Sequence, residues 1–189
     1  MVLYGGGKVD RTIASALIVT RAYEEITEQL VAFGHRSFAV CIPPTHDDDR
    51  VQARLEGIRI ALERHGLAVR LEHLVEGEST LAFSPRALRS LWQQSGQRPT
   101  AVICGNDHIA LGVLREAEEL GIAIPGELSA TGFDALAIAR EARAPLTTMH
   151  VGMREIGMVA ARHLLDGRRR KAATPCRWFC KWAVGRAVP

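Results

Sequence analysis

The sequence predicts a doubly wound α/β fold, in which a mostly parallel sheet carries helices on both faces. Short apolar runs of strand length, such as residues 37–42 and 128–133, alternate with segments whose apolar residues recur every three or four positions. A single helical segment separates successive runs, and this order favours parallel strands joined by right-handed crossovers. Ligands of such sheets bind beyond the carboxyl ends of the strands.

The first strand and helix have clear boundaries in the sequence. The apolar run 37–42 ends at Pro43, because proline cannot donate a hydrogen bond to a strand ladder. The aspartates at 47–49 put negative charge where the helix dipole favours it, so we expect a helix from there to Gly66. Its predicted buried face consists of Val51, Leu55, Ile58 and Leu62. The other predicted elements are strands at 68–75, 100–105 and 128–133 and helices at 85–94 and 107–120.

Polar side chains follow two of the predicted strands. Asn106 and Asp107 come after the strand at 100–105, and Asp134 comes directly after Phe133. Asn and Asp at such junctions act either as helix caps or as ligand contacts. We predict that Asp107 caps the following helix and that Asn106 and Asp134 contact a ligand.

Composition narrows the function classes. The 189 residues are 47% hydrophobic and 24% charged, which is typical of a soluble globular protein. We find no apolar run long enough for a membrane span and no signal-peptide pattern, and the four cysteines are few, so we expect a cytoplasmic protein. A net charge of +3 is weak support for nucleic-acid binding, and the basic run 168–171 is interpreted as a solvated loop.

An ordered series of short motifs is similar to a known family. The motifs are Gly34-His-Arg-Ser-Phe-Ala-Val40, Arg54-Leu-Glu-Gly57, Gly105-Asn-Asp-His-Ile-Ala-Leu-Gly112, Gly121-Ile-Ala-Ile-Pro125, Ser129-Ala-Thr-Gly-Phe-Asp134, Pro145-Leu-Thr-Thr148 and Ile156-Gly157. Together they resemble the effector-binding domain of lactose-repressor-type (LacI/GalR) transcriptional regulators. The resemblance implies a periplasmic-binding-protein-like type I fold, with two doubly wound parallel sheets in two subdomains.

The resemblance also implies which residues bind the effector. It assigns Arg54, Asn106 and Asp134 to the hydroxyls of a sugar or the polar edge of a purine-like ligand. The chemistry agrees, because arginine donates, aspartate accepts and asparagine does both. The alternative for Arg54 is a surface helix residue. His46 and Ser79 are further candidates for lining the cleft, although His46 also fits an ordinary loop histidine. The loop at 76–80 lacks the aromatic residue that often stacks on the ligand in this family.

The resemblance further implies two subdomains and a homodimer. Residues 1–33 would be a remnant of an incomplete N-terminal subdomain, with strands near 2–4 and 14–19, and residues 34–146 the effector-binding C-terminal subdomain. Residues 147–170 would form a return helix of the N-terminal subdomain, and 171–189 a final strand and tail. The candidate dimer surface contains Leu111, Arg115, Ile138 and Ala142.

Three functions are compared. The first is the effector-binding part of a regulator, which would reach DNA only through a helix-turn-helix that this chain lacks. The second is a sugar-binding receptor of a transport system that has lost its signal sequence. The third is an enzyme, which we disfavour because the sequence has no glycine-rich phosphate loop and no Gly-x-Ser-x-Gly motif. A metal site at His163, Cys176 and Cys180 is disfavoured by its spacing, and we expect no cofactor.

Overall fold

The computed structural model describes residues 8–46, 48–80, 82–93, 96, 98–140, 146–150, 154, 158, 161 and 182–183. In these residues the predicted α/β architecture is confirmed. The sheet has six strands in the order β2-β1-β3-β4-β5-β6, and all neighbouring pairs are parallel except β5 with β6. The strands are β1 Phe38–Ile42, β2 Leu74–Glu76, β3 Ala101–Cys104, β4 Ser129–Asp134, β5 Thr147–His150 and β6 Trp182–Ala183. The helices are α1 Lys8–Ala32, α2 Asp49–Arg64, α3 Phe83–Gln93, α4 Asp107–Glu119 and α5 Ala137–Arg140.

The sheet divides the interior into two apolar layers. Successive strand residues point to opposite faces, so β1 sends Phe38, Val40 and Ile42 to the layer beneath α1 and α2. Ala39 and Cys41 point to the layer beneath α3 and α4. Every residue of β1 is buried, as expected for an inner strand of a parallel sheet that is covered on both faces.

Helix α2 begins where the aspartates predict. Asp48 is the N-cap, and its carboxylate accepts hydrogen bonds from the backbone N–H groups of Arg50 and Val51 at 2.9 and 3.2 Å. Three members of the predicted apolar face are buried, while Leu55 is half-buried against the same layer. The structure therefore confirms the predicted position and orientation of this helix.

The strand predicted at 68–75 is wrong over most of its length. Only Leu74–Glu76 pairs with β1, and a short 3-10 helix, Leu71–His73, precedes it. The Nδ1 atom of His73 donates to the Phe38 carbonyl at 3.2 Å, so a side chain meets the edge of β1 where a longer strand would run. Leu71, which lies in the short helix, is 86% exposed.

Helix α1 shares its core with the unit predicted to begin at residue 34. Tyr23, Ile26 and Leu30 are fully buried in the layer that contains β1 and α2. A Cβ atom on Gly57 of α2 would lie 2.2 Å from the Thr20 carbonyl oxygen, so the two helices cross in direct contact. A boundary after residue 33 would cut through this layer, and we therefore propose that the second half of α1 belongs with residues 34–146.

The strand predictions at the ends of the chain have different outcomes. Residues 14–19 are not a strand but lie inside α1, whose apolar stripe extends through Val19; residues 2–4 lie outside the described part. The expected final strand does join this sheet, because Trp182–Ala183 pairs antiparallel with β5. Residues 147–150 form β5 rather than the start of the return helix, most of which lies outside the described residues.

Candidate functional site

The carboxyl ends of β3 and β4 bring together the polar residues singled out in the sequence. Asn106 follows β3 and is the N-cap of α4, because its Oδ1 accepts from the Ile109 N–H at 3.0 Å. The prediction that Asp107 is the cap is therefore wrong. An N-cap side chain reaches the backbone two or three residues ahead, and here Asn106 occupies that position. Its Nδ2 group is the donor that Asn106 can offer to a ligand.

Asp107 instead lies in the interior at the first position of α4. Its side chain is fully buried; Oδ2 accepts from the Leu136 N–H at 2.7 Å and Oδ1 accepts from the Thr148 hydroxyl at 2.5 Å. Burial raises the pKa of this carboxyl, and the hydrogen bonds from Thr148 and Leu136 oppose that effect. Asp107 thus links α4 to β5 and to the loop that follows β4.

Asp134 ends β4 at the same edge, in an unusual backbone conformation. Its φ angle is 106° and that of Ala135 is 53°. Both are positive, and residues other than glycine rarely adopt this backbone conformation. Partial burial raises the pKa of Asp134 to about 6, the Arg54 guanidinium lowers it, and the nearby Asp107 carboxylate raises it. The carboxyl of Asp134 therefore changes charge close to neutral pH.

Arg54 approaches this group from the first half of α2. It is half-buried, with its guanidinium 5.8 Å from the centre of the Phe133 ring, in cation–π geometry. Its Nε is buried without a hydrogen-bond partner, and no direct ion pair joins Arg54 to Asp134, although their charges interact. The alternative interpretation, in which Arg54 is an ordinary surface residue of the helix, does not fit this half-buried position.

An aromatic pair that the sequence analysis missed lies beneath these residues. The rings of Tyr23 and Phe133 stack with their centres 5.1 Å apart. The Tyr23 hydroxyl donates to the carbonyl of Gly105 at 2.9 Å and lies 3.2 Å from that of Cys104. Burial raises the pKa of Tyr23, so it stays a neutral donor. Phe133 could have been found from its place between Gly132 and Asp134, whereas Tyr23 is distant in sequence.

The two other cleft candidates lie in loops at the carboxyl ends of the neighbouring strands β1 and β2. His46 follows β1 and Ser79 follows β2, and both are exposed. The contact that joins these loops is made by their neighbours, since Thr45 donates through its hydroxyl to Glu76 at 2.8 Å and through its N–H at 3.3 Å. No hydrogen bond or ion pair between described residues connects His46 or Ser79 with Arg54 or Asp134.

The candidate dimer residues are partly accessible. Leu111 is half-buried against the α3/α4 layer rather than exposed, because its side chain packs on that core. The Arg115 side chain is 79% exposed and pairs with Glu119 at 3.3 Å, and Ile138 is 46% exposed. Ala142 lies outside the described residues.

Metal chemistry and membrane insertion have no support among the described residues. There, no group of three or more His, Cys, Asp or Glu side chains could hold a metal ion. Cys41 and Cys104 are buried free thiols, and His163, Cys176 and Cys180 fall outside the described part. No described helix combines the length and the apolar character needed to cross a bilayer.

Comparisons with known proteins agree with this architecture. Residues 27–185 match the model of the periplasmic binding protein-like domain. The HTH-type transcriptional repressor PurR of Escherichia coli O1:K1 / APEC is 33% identical over 175 residues, which cover 91% of this chain and 50% of the repressor. The chain thus spans about half the length of that curated relative.

Solved structures of regulators have the same fold. A regulatory protein of the LacI family from Chloroflexus aggregans superposes with a TM-score of 0.76 at 26% identity, covering 81% of this chain and 56% of that one. A LacI family regulator from Lactobacillus casei, with bound sucrose, gives a TM-score of 0.80 at 23% identity, covering 91% and 64%. These relatives are regulators rather than enzymes. The chain belongs to the periplasmic binding protein-like family, in the form of a LacI-type effector-binding domain.

Proposed function

We propose that this chain is the effector-sensing part of a LacI-type transcriptional regulator and that it binds a small sugar-like molecule at the carboxyl edge of the sheet. Arg54 would donate to the ligand through its guanidinium, Asp134 would accept through its carboxylate, and Asn106 would donate through Nδ2. Vicinal hydroxyls both donate and accept, so they match this set, and a purine-like ligand is the second choice.

One observation carries the proposal: Arg54 and Asp134 are held close enough to interact electrostatically but form no ion pair. Half-buried charges normally pair with each other, because desolvation is costly. The Nε atom of Arg54 is buried and has no hydrogen-bond partner, so part of this guanidinium is left without a hydrogen bond within the protein. A ligand placed between the two groups would accept hydrogen bonds from the guanidinium of Arg54 and donate one to the carboxylate of Asp134.

The remaining parts of the proposal concern the whole regulator. DNA would be contacted through a helix-turn-helix outside this chain, in a cytoplasmic homodimer whose surface includes Leu111, Arg115, Ile138 and Ala142. Effector binding would then change DNA affinity only to the extent that it favours one conformation of the dimer over another. The relatives described above are regulators, which favours this function over that of a transport receptor.

The decisive experiment is isothermal titration of the purified chain with D-glucose, D-galactose, D-ribose, sucrose, adenosine and inosine. We expect at least one compound to bind, and we expect Arg54→Gln to weaken that binding about 10- to 100-fold, because hydrogen bonds to charged groups contribute about 1.5–3 kcal/mol. Asp134→Asn should weaken it to a similar extent.

Arg59→Gln is the matched control, because Arg59 lies on the same helix but is exposed and pairs with Glu56 and Glu63. Its affinity should stay within about twofold of the unmodified chain. Equal losses in Arg54→Gln and Arg59→Gln would show that the effect is not specific to the site. Binding that survives both site substitutions would place the ligand elsewhere.

A further inference from the structure

The buried carboxylate of Asp107 connects three parts of the chain at one point. It starts α4, accepts from the Thr148 hydroxyl of β5 at 2.5 Å and accepts from the Leu136 N–H of the loop after β4 at 2.7 Å. A charge in the interior is retained only where hydrogen bonds compensate its lost hydration. The two bonds therefore fix the positions of Thr148 and Leu136 relative to α4.

The same network holds the backbone directly after Asp134. The Thr148 hydroxyl accepts from the Ala135 N–H at 3.3 Å while it donates to Asp107, so the two amides that follow Asp134 are both held by this network. Asp134 and Ala135 have positive φ angles of 106° and 53°. Such conformations are unfavourable for residues other than glycine and persist only where the surroundings impose them.

Gly132 supplies the space that this arrangement needs. A Cβ atom at this position of β4 would lie 2.2 Å from Oδ1 of Asp107 and 3.0 Å from Cδ2 of Leu146. Any side chain at 132 would therefore displace the carboxylate from its partners. The glycine in the stretch Thr131-Gly-Phe-Asp134 is thus explained by the buried aspartate rather than by a turn.

We infer that Asp107 is a positioning residue for the ligand site, acting through Thr148 and Leu136 to impose the backbone turn that places the Asp134 carboxylate opposite Arg54. The inference rests on the proposed function, because that function makes this a ligand site. The position and charge of Asp134 can nevertheless be measured without a ligand. Asp107 touches no ligand in this scheme. Its role is to fix where Asp134 lies and what charge it carries.

The charge of Asp134 provides a readout that a packing role would not change. The titratable and charged groups that face Asp134 are Tyr23 from α1, Arg50 and Arg54 from α2, Asp107 and His108 from α4, and its register partner His150 on β5. Burial and Asp107 raise the pKa of Asp134, while the cations lower it. Removing the charge of Asp107, or releasing the turn into solvent, should therefore move the titration of Asp134 to lower pH.

The test uses the full chain without any ligand, as the unmodified protein and in four variants. The side-chain carboxyl ¹³C signal of Asp134, assigned by its loss in Asp134→Asn, is titrated in the unmodified chain and in Asp107→Asn, Thr148→Val and Thr148→Ser. Amide hydrogen exchange of Ala135 and Leu136 is measured in parallel. Thr148→Val removes the hydroxyl at nearly constant volume, and Thr148→Ser retains it as the matched control.

We expect the Asp134 titration near pH 6 in the unmodified chain to move to lower pH in Asp107→Asn and in Thr148→Val. Exchange at Ala135 and Leu136 should accelerate about tenfold or more in both, while amides of β1 keep their protection. In Thr148→Ser, the exchange rates of these two amides should stay within about threefold of those in the unmodified chain. If Asp107→Asn does not fold, the two Thr148 variants decide the result alone.

Unchanged titration and exchange in Thr148→Val would overturn the inference, as would equal effects of the Ser and Val substitutions. Calorimetry with the sugar and nucleoside panel then tests the proposed function separately. If compounds bind, their affinity should fall about tenfold in Thr148→Val. If none binds the unmodified chain, the proposed function fails, while the titration and exchange data still decide whether Asp107 positions Asp134.

Discussion

The two halves of the carboxyl edge of the sheet differ in how their charges are satisfied. At the β1/β2 half, Glu76 is exposed and bonded to Thr45. At the β3/β4 half, Arg54 and Asp134 are half-buried and interact electrostatically, but they form no ion pair. The carboxylate of the first half is hydrogen-bonded within the protein and exposed to solvent. The second keeps charges in a partly desolvated position, which supports the proposed ligand contacts there.

The largest effect is expected from substituting Gly132 at the β3/β4 half, and Gly77 at the β1/β2 half is its comparison. Gly132→Ala would place Cβ against the Asp107 carboxylate, which cannot move without losing its hydrogen bonds, and should lower the free energy of unfolding by about 3 kcal/mol. In Gly77→Ala the new Cβ meets the Phe83 ring at 2.2 Å, beside an open pocket of about 470 Å³. That ring can rotate away, so we expect a loss of about 1 kcal/mol.

Urea unfolding monitored by circular dichroism would measure both losses. The double variant Gly132→Ala with Asp107→Ala should lose less than the sum of the two single variants, because removing the carboxylate removes the clash. Equal losses for the two glycine variants would contradict the idea that the β3/β4 half is the more constrained.

Removing the charge of Asp134 should have a smaller effect than Gly132→Ala, and of opposite sign. Its pKa in the folded chain, about 6, lies above the ordinary value of 3.8. Between those values the folded state binds more protons than the unfolded state, so stability falls as pH rises through that window. Asp134→Asn should therefore stabilise the chain at about pH 7.5, by about 1 kcal/mol after allowance for partial exposure.

Chemical unfolding at several pH values would test this prediction. The stability advantage of Asp134→Asn should disappear as the pH falls towards 4. There the Asp134 carboxyl is protonated in the folded state and is uncharged, as asparagine is. Glu76→Gln, at the satisfied half of the edge, should change the free energy of unfolding by less than about 0.5 kcal/mol. A destabilising Asp134→Asn substitution would mean that this carboxylate stabilises the fold rather than serving a ligand.

The smallest effects are expected at the exposed loops of the β1/β2 half. His46→Ala and Ser79→Ala should each change the affinity for a bound sugar by less than about threefold, because neither side chain is connected to the Arg54–Asp134 pair. Calorimetry with whichever compound binds the unmodified chain would measure this. A tenfold loss in either variant would extend the site across the whole edge.

Local patterns predicted most of the fold. Helix α2 shows why, since its cap at Asp48 and its buried residues Val51, Ile58 and Leu62 depend on spacing within one segment. The strand at 68–75 was mispredicted because its length depends on its neighbour: the edge of β1 is partly occupied by His73. A pattern within one segment contains no information about that competition.

The candidate site shows the same division. The motif around Asn106 placed a polar pair at the end of β3, but assigned the cap to the wrong member. Which of two adjacent residues caps a helix depends on whether the other has an interior partner. Here Asp107 has two partners, Leu136 and Thr148, which lie 29 and 41 residues away in sequence.

The sequence by itself determined the alternating α/β order, the family and the strand ends where polar residues collect, because these depend on local periodicity and on short motifs. Only the tertiary structure decided which polar residue is buried, which is strained and which stays unpaired. The pKa of Asp134 depends on burial and on charges from α2 and α4. Burial and through-space charge are properties of the packed chain, and neither is encoded within one segment.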